Sequence, residues 1–180
     1  MRAADQLIKK LALRPHPEGG YYRETYRSST IIYSPQTNSQ RNAMTHIYFL
    51  LAGGQISRMH RVAHDEIWIF LEGADLLLHT VDEKMHAYTT FRIGSLLELE
   101  SLLGSQSQSQ SEIKRPQNSL EPAAIVAANR WQAAESTGDY SLVSCIVAPG
   151  FDFQDFQLLT QFPGDKDKIK KFWPELARFI

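Results

Sequence analysis

Short apolar runs broken by glycine and polar turns dominate the middle of the chain. Residues 55–61 (QISRMHR) alternate in polarity, and residues 67–71 (IWIFL) are continuously apolar and aromatic, which predicts two half-buried strands joined by a polar corner at residues 63–65. The same reading predicts strands over residues 21–26, 45–51, 66–71, 76–81, 87–93, 124–128 and 142–147. Strands at such short intervals, without helices between them, point to an all-β antiparallel sandwich or barrel. Outside this region, residues 4–13 place Leu7, Ile8 and Leu11 on one face at helical spacing. The two prolines and two glycines of residues 14–20 (RPHPEGG) must end that helix and form an ordered turn leading into the next strand. Pro163 and Gly164 close the β region, residues 165–172 read as a helix with Ile169 and Phe172 apolar, and Pro174 suits the first turn of a short last helix carrying Leu176 and Phe179.

Composition narrows the setting. A chain of 180 residues with 43% hydrophobic content can bury one substantial core, so residues 1–180 are expected to form a single domain. A formal net charge of −1 advertises neither nucleic acid nor an anionic membrane as partner. Every apolar run is much shorter than the roughly 20 residues of a membrane span, and the start MRAADQLIKKLAL lacks the continuous apolar centre of a secretory signal. Cys145 is the single cysteine, which rules out an internal disulfide and fits a reducing compartment, so a cytoplasmic location is expected. The polar repeat SQSQSQSEIKRPQNS within residues 101–120 has too few large apolar groups to offset its ordering and is expected to be a mobile inserted surface loop.

Candidate chemistry gathers at the strand pair. His60 and Glu66 flank the corner, and adjacent antiparallel strands would bring them within reach of a shared proton, metal or substrate. His60 is the natural general base, with Glu66 or Asp65 to orient it. Trp68 and Phe70 share strand parity with Glu66 and could wall a pocket. In the strand after the HPEGG turn, Tyr22, Glu24 and Tyr26 share one face and Tyr21, Arg23 and Thr25 the other. Arg61 should point away from His60, to the opposite strand face, and Glu18 is read as an arginine partner holding the turn. His64 is expected in solvent at the corner, and His16, His46, His79 and His86 are assigned to structure or surface. Cys145, in an apolar strand, reads as a buried hydrophobe, and the crowded Phe151, Phe153 and Phe156 read chiefly as a packing or dimer-interface element.

Three blocks, PHPEGGYYRETYRS, IYFLLAGGQISRMHRVAHDEIWIF and NRWQAAESTGDYSLVSCIVAPGFDFQDFQL, resemble in this order the DUF985 (cupin_5) family of the RmlC-like cupins, over about residues 13–162. The resemblance implies a cupin double-stranded β-helix, a jelly-roll barrel with a central pocket, found as a homodimer. In the general cupin pattern Gly54, His60, Glu66 and Gly73 match, but Val62 stands where a second histidine belongs. Ala127, Asn129 and Gln132 replace the proline, glycine and third histidine of the second motif. A metal reading would place iron, manganese or zinc on His60, Glu66 and Gln132, but a neutral amide is a poor ligand for these ions, so no cofactor is expected. The favoured function is binding of a small organic ligand, sugar-like, nucleotide-like or aromatic, by Tyr22, Arg23, Tyr48, His60, Glu66, Trp68, Phe70 and Gln132. The alternative is a metal-independent isomerase or epimerase acting on a carbohydrate or nucleotide-sugar. It would use His60 as base assisted by Glu66, Tyr22 or Tyr48 as acid, and Arg23 as a positive contact.

Overall fold

The structure is a computed structural model that describes residues 2–96 and 119–180. After the helix α1 (Ala3–Lys10), the strands are β1 (Arg14–Pro15), β2 (Tyr21–Arg27), β3 (Ile31–Ser34), β4 (Ser39–Asn42), β5 (Thr45–Ala52), β6 (Ile56–Arg61) and β7 (Asp65–Gly73). They continue as β8 (Leu76–Val81), β9 (Tyr88–Ile93), β10 (Leu120–Glu121), β11 (Ala123–Val126), β12 (Trp131–Ser136), β13 (Tyr140–Ala148) and β14 (Gln157–Leu158). Helix α2 (Pro163–Phe172) and a 3-10 segment (Pro174–Phe179) end the chain.

Two six-stranded sheets face each other, in the orders β1-β2-β5-β13-β7-β11 and β10-β9-β8-β12-β6-β14, while β3 and β4 form a separate hairpin. The sheets stay open at their edges, and their topology is that of the cupin double-stranded β-helix. Strand β13 is the spine of the first sheet, setting Cys145 opposite both Ile47 and Trp68. Between the sheets lies one core that includes Phe49, Leu51, Trp68, Leu76, Leu78, Ile93 and Val143. A second core lies on the outer face of the other sheet, where Ile169, Leu176 and Phe179 bury against Met59, Val81 and Trp131. Helix α1 covers part of the first sheet with the predicted Leu7, Ile8 and Leu11, which pack by Leu50 and Leu142.

The predicted strands are present with boundaries shifted by a few residues, and six more join them, three of which, β1, β10 and β14, are only two residues long. Strand β12 escaped the pattern because Trp131, Gln132, Ala133 and Ala134 are all buried, so no polar alternation marks it. The hairpin β3–β4 escaped for the opposite reason: Ile31, Ile32 and Tyr33 are all exposed, leaving no buried face to alternate with. Strands β6 and β7 are not neighbours. They belong to opposite sheets, so His60 and Glu66 approach across the interior instead of along a shared ladder. The polar stretch expected to be a mobile loop lies outside the described residues except for its end, where Leu120 begins β10 and pairs in parallel with Arg92 of β9. Pro163 opens α2 at its first turn, where its missing N–H costs nothing. Among the described residues no helix is long and apolar enough to cross a membrane.

Candidate functional site

The HPEGG turn delivers two ionisable groups to the interior. Gly19 and Gly20 have φ of +115° and +67°, and a Cβ on Gly19 would stand 2.2 Å from the Ile56 carbonyl oxygen. The turn therefore lies flat against β6, where the Arg58 N–H donates to the Glu18 carbonyl at 2.8 Å. The Glu18 side chain is buried, with Ser57 Oγ donating to its Oε1 at 2.7 Å. Its other oxygen, Oε2, is 3.2 Å from His60 Nε2 and 3.3 Å from His16 Nδ1. This corrects two expectations: the Glu18 carboxylate meets imidazoles and a serine, while an arginine, Arg58, holds the turn through the carbonyls of Pro17 and Glu18 instead; and His16 belongs to the site.

Strand β6 can aim both Ser57 and His60 at Glu18 because it is bulged. His60 pairs with Gln132 and Ser57 with Ala134, so two residues of β6 oppose one of β12. The extra residue restores the inward face to Ser57, while Met59 turns outward into the second core.

One proton governs the His60–Glu18 contact. His60 Nδ1 lies 2.8 Å from the Arg58 carbonyl oxygen, which can only accept, so Nδ1 carries hydrogen. Nε2 then faces a carboxylate oxygen and a proton must lie between them. Burial holds the His60 pKa below the ordinary imidazole value, against the pull of Glu18. For Glu18, burial is outweighed by the charges of His60 and His16 and by hydrogen bonds from His16 and Ser57, which hold it below its usual value. Each shift pushes the proton onto the other partner; the geometry requires it between them, and the pair titrates as a unit. Both ring nitrogens of His60 are thus engaged by the protein.

Glu66 enters from β7 in the opposite sheet. Gln132 Nε2 donates to its Oε2 at 2.6 Å, and Trp68 Nε1 donates to Gln132 Oε1 at 3.1 Å. Burial, reinforced by the charge of Glu18, pushes Glu66 up to about 8 against the opposing hydrogen bonds of Gln132, Cys145 and Trp68. Near neutral pH Glu66 is a carboxylic acid. Burial, followed by the charges of Glu66 and Glu18, pushes the Cys145 thiol well up, so it stays protonated beside them. The set His60, Glu66 and Gln132 does not fit a metal: Gln132 spends its oxygen on Trp68 and its nitrogen on Glu66, while His60 has no free nitrogen. Among the described residues no other cluster of three or more His, Cys, Asp or Glu is arranged to hold one.

These groups line a cavity of about 360 Å³. Tyr22, Phe49, Trp68, Phe151, Phe153 and Phe156 contribute rings to its wall, and Ile47, Val62 and Val147 contribute aliphatic surface. His16 is wedged among the rings, edge-on to Tyr22 at 4.6 Å and stacked on Phe153 at 5.9 Å. Arg14 lies over Tyr22 at 4.8 Å, and Arg27 donates to both oxygens of Glu24 at 2.9 and 2.7 Å.

Of the residues expected at the site, Tyr22, His60, Glu66 and Trp68 line the cavity. Gln132 stands behind it, reaching it through Glu66 and Trp68. Arg23 and Tyr48 do not line it: they stack on each other at 5.7 Å, and Tyr48 packs with the α1 cluster outside the sheet. Phe70 keeps the parity of Trp68 but sits in the inter-sheet core without lining the cavity. The run Phe151, Phe153 and Phe156 packs ring against ring as expected, yet it also walls the cavity. His64 is buried, against the expectation of solvent, with Nε2 2.7 Å from Ser34 Oγ and Nδ1 4.0 Å from Asp155 Oδ2. Arg41 grips both oxygens of that Asp155 at 2.7 Å, tying the phenylalanine run to β4. Arg61, on the outer face as predicted, lies over Trp131 and Phe162.

Comparison with known proteins gives the same architecture. The chain matches Cupin_5, described as "Cupin superfamily (DUF985)", over residues 5–159. A hypothetical protein from Leishmania major superposes with a TM-score of 0.76 at 28% identity, covering 99% of this chain and 97% of that one. A protein from Shewanella oneidensis superposes at 0.70 with 30% identity, covering 99% and 94%. Oxalate decarboxylase from Lactobacillus farciminis shares the fold alone, at 0.53 and 13% identity over 93% of this chain and 41% of that one. No functionally curated protein matches. By its sequence match and its double-stranded β-helix, the chain belongs to the DUF985 (Cupin_5) family of the cupin superfamily.

Proposed function

We propose that this cupin binds a small organic molecule between its two sheets. The observation that carries this reading is the cavity of about 360 Å³, walled by six aromatic rings and floored by the buried Glu18, His60 and Glu66. Its size and its mix of apolar wall with few polar groups match small-molecule sites, which run to roughly 300–1,000 Å³. Burying three ionisable groups is costly unless they serve an occupant or one another, and among the described residues Glu66 is bonded by no cationic side chain. A ligand with a Kd of ~10 µM supplied at ~1 mM should stabilise the fold by about 2.7 kcal/mol. A metabolite screen read by thermal shift should therefore find saturable stabilisation. Val62→Phe, which puts a ring into the cavity, should abolish it while leaving the unliganded melting temperature within a few degrees. Stabilisation that survives Val62→Phe places the ligand elsewhere and ends this reading.

A proton-transfer isomerase is the second reading, favoured by the opposed protonation tendencies of His60 and Glu66. For His60 to act as base, a substrate must first displace Glu18 from Nε2. Solvent deuterium should then enter a substrate carbon, and the exchange should vanish in His60→Ala. Saturable binding without exchange leaves the binding reading alone.

A further inference from the structure

The charge balance inside the cavity selects a ligand class, and this step rests on the binding reading above. Among the described residues four acidic side chains line it, Glu18, Glu24, Glu66 and Asp152, against two arginines, Arg14 and Arg27, and no lysine. Arg27 is spent on Glu24, which grips it through both carboxyl oxygens. Glu18 is served by Ser57 and the two imidazoles. Asp152 accepts from the Gln154 N–H. Glu66 is different: it is only 6% exposed, and among the described residues its bonded partners, Gln132, Cys145 and Trp68, are neutral. The remaining guanidinium, Arg14, is exposed at the mouth with its face on Tyr22, where solvent screens it.

We propose that the cavity selects a small organic amine held as its ammonium ion, with Glu66 giving up its proton on binding to become the counter-charge and the surrounding rings as walls. An ammonium group brings donors and a positive charge to a carboxyl whose bonded partners Gln132, Cys145 and Trp68 are all neutral. The faces of Trp68, Tyr22 and the phenylalanines carry the negative pole of their quadrupoles and attract the same charge, most strongly away from water. An anionic ligand would instead enter beside Glu18 and Glu66, with its nearest free cation out at the mouth. A neutral ligand would gain the apolar wall alone and leave Glu66 protonated.

Calorimetry on the full-length protein with benzylamine, benzyl alcohol and benzoate near neutral pH tests this directly, because the three share a ring and differ in charge. The amine should bind at least about tenfold tighter than the alcohol, and benzoate weaker than either. Glu66→Gln should bring the amine to within about twofold of the alcohol. Should that variant fail to fold, the wild-type ranking still decides. Phe153→Ala, at a half-exposed ring, should weaken the amine more than the alcohol. Equal affinities for amine and alcohol, or benzoate binding tightest, overturn the ammonium assignment and leave the binding reading standing. The same holds if only neutral or anionic metabolites give stabilisation sensitive to Val62→Phe. A cavity that takes no ligand of any kind removes both.

Discussion

At the scale of single residues, Glu66 ties burial to pH. Its pKa is ordinarily 4.5 and rises to about 8 in the folded chain. Between those values the folded state holds a proton that the unfolded chain has released. A group shifted upward contributes its full stability below its unfolded pKa and loses it as pH climbs through the folded one. Stability should therefore fall from about pH 4.5 to about pH 8 through this residue, by up to roughly 5 kcal/mol, an upper bound since a carboxylate can draw water into the cavity. Glu66→Gln keeps an acceptor for Gln132 and removes the titration. Urea unfolding of the two proteins should agree near pH 4.5, with the variant the more stable by pH 9; parallel pH profiles would show that Glu66 is ionised in the fold. The spacing of the glycines, His60 and Glu66 was legible in the sequence, as was Trp68 on an inward face, but which face of β2 turns inward was not, so Tyr22 and Arg23, on opposite faces, were both expected in the pocket. Glu18 and His16 were not, because a turn has no periodicity from which to read direction. The available signal was chemical: an acid and an imidazole held in a Pro- and Gly-locked turn immediately before a strand that faces the pocket.

Elements decide where those residues end up. The alternation in residues 55–61 finds β6, but a strict period of two would aim Ser57 and His60 at opposite faces. The bulge against β12 turns both inward, and nothing in a single sequence announces it. In the same way, the five residues between His60 and Glu66 look like a hairpin, whereas the chain uses the corner to cross from one sheet to the other. The HPEGG turn was legible as a turn, but its contact with β6 was not. That contact predicts the outcome of Gly19→Ala. A methyl group at φ +115° and 2.2 Å from the Ile56 oxygen forces the turn off the strand, at a cost of about 2–4 kcal/mol. It should also withdraw Glu18 from Ser57 and His60, so ligand stabilisation should fall further than the loss of folding free energy explains. A variant that melts like the wild type and binds equally well would show that the turn does not position Glu18.

Across the whole molecule, the second sheet separates two cores, and single strands serve both. Met59 of β6 faces the C-terminal segment while its neighbour His60 faces the cavity, and Trp131 and Gln132 of β12 divide the same way. The C-terminal segment therefore braces the back of the site without touching it. Its helical character was legible from apolar spacing, but its docking place was not, since an apolar face states that it must be covered and not by what. Leu176 and Phe179 are both fully buried in that outer core. Truncating each to alanine should cost about 2–5 and 3–5 kcal/mol respectively, and the pair less than the sum because they share one cluster. If the outer core acts only through stability, the double variant, refolded by saturating ligand, should bind with the wild-type Kd once corrected for its folded fraction. If it also sets the register of β6, the corrected Kd should weaken and the Glu18–His60 pair should titrate differently. The β6 bulge favours the second outcome. The bulge of β6 lies between Ser57 and His60, and within it Met59 is the residue that the outer core grips. Following the His60 ring protons by NMR through a pH titration of the folded double variant separates these outcomes: an unchanged titration curve confines the C-terminal segment to stability.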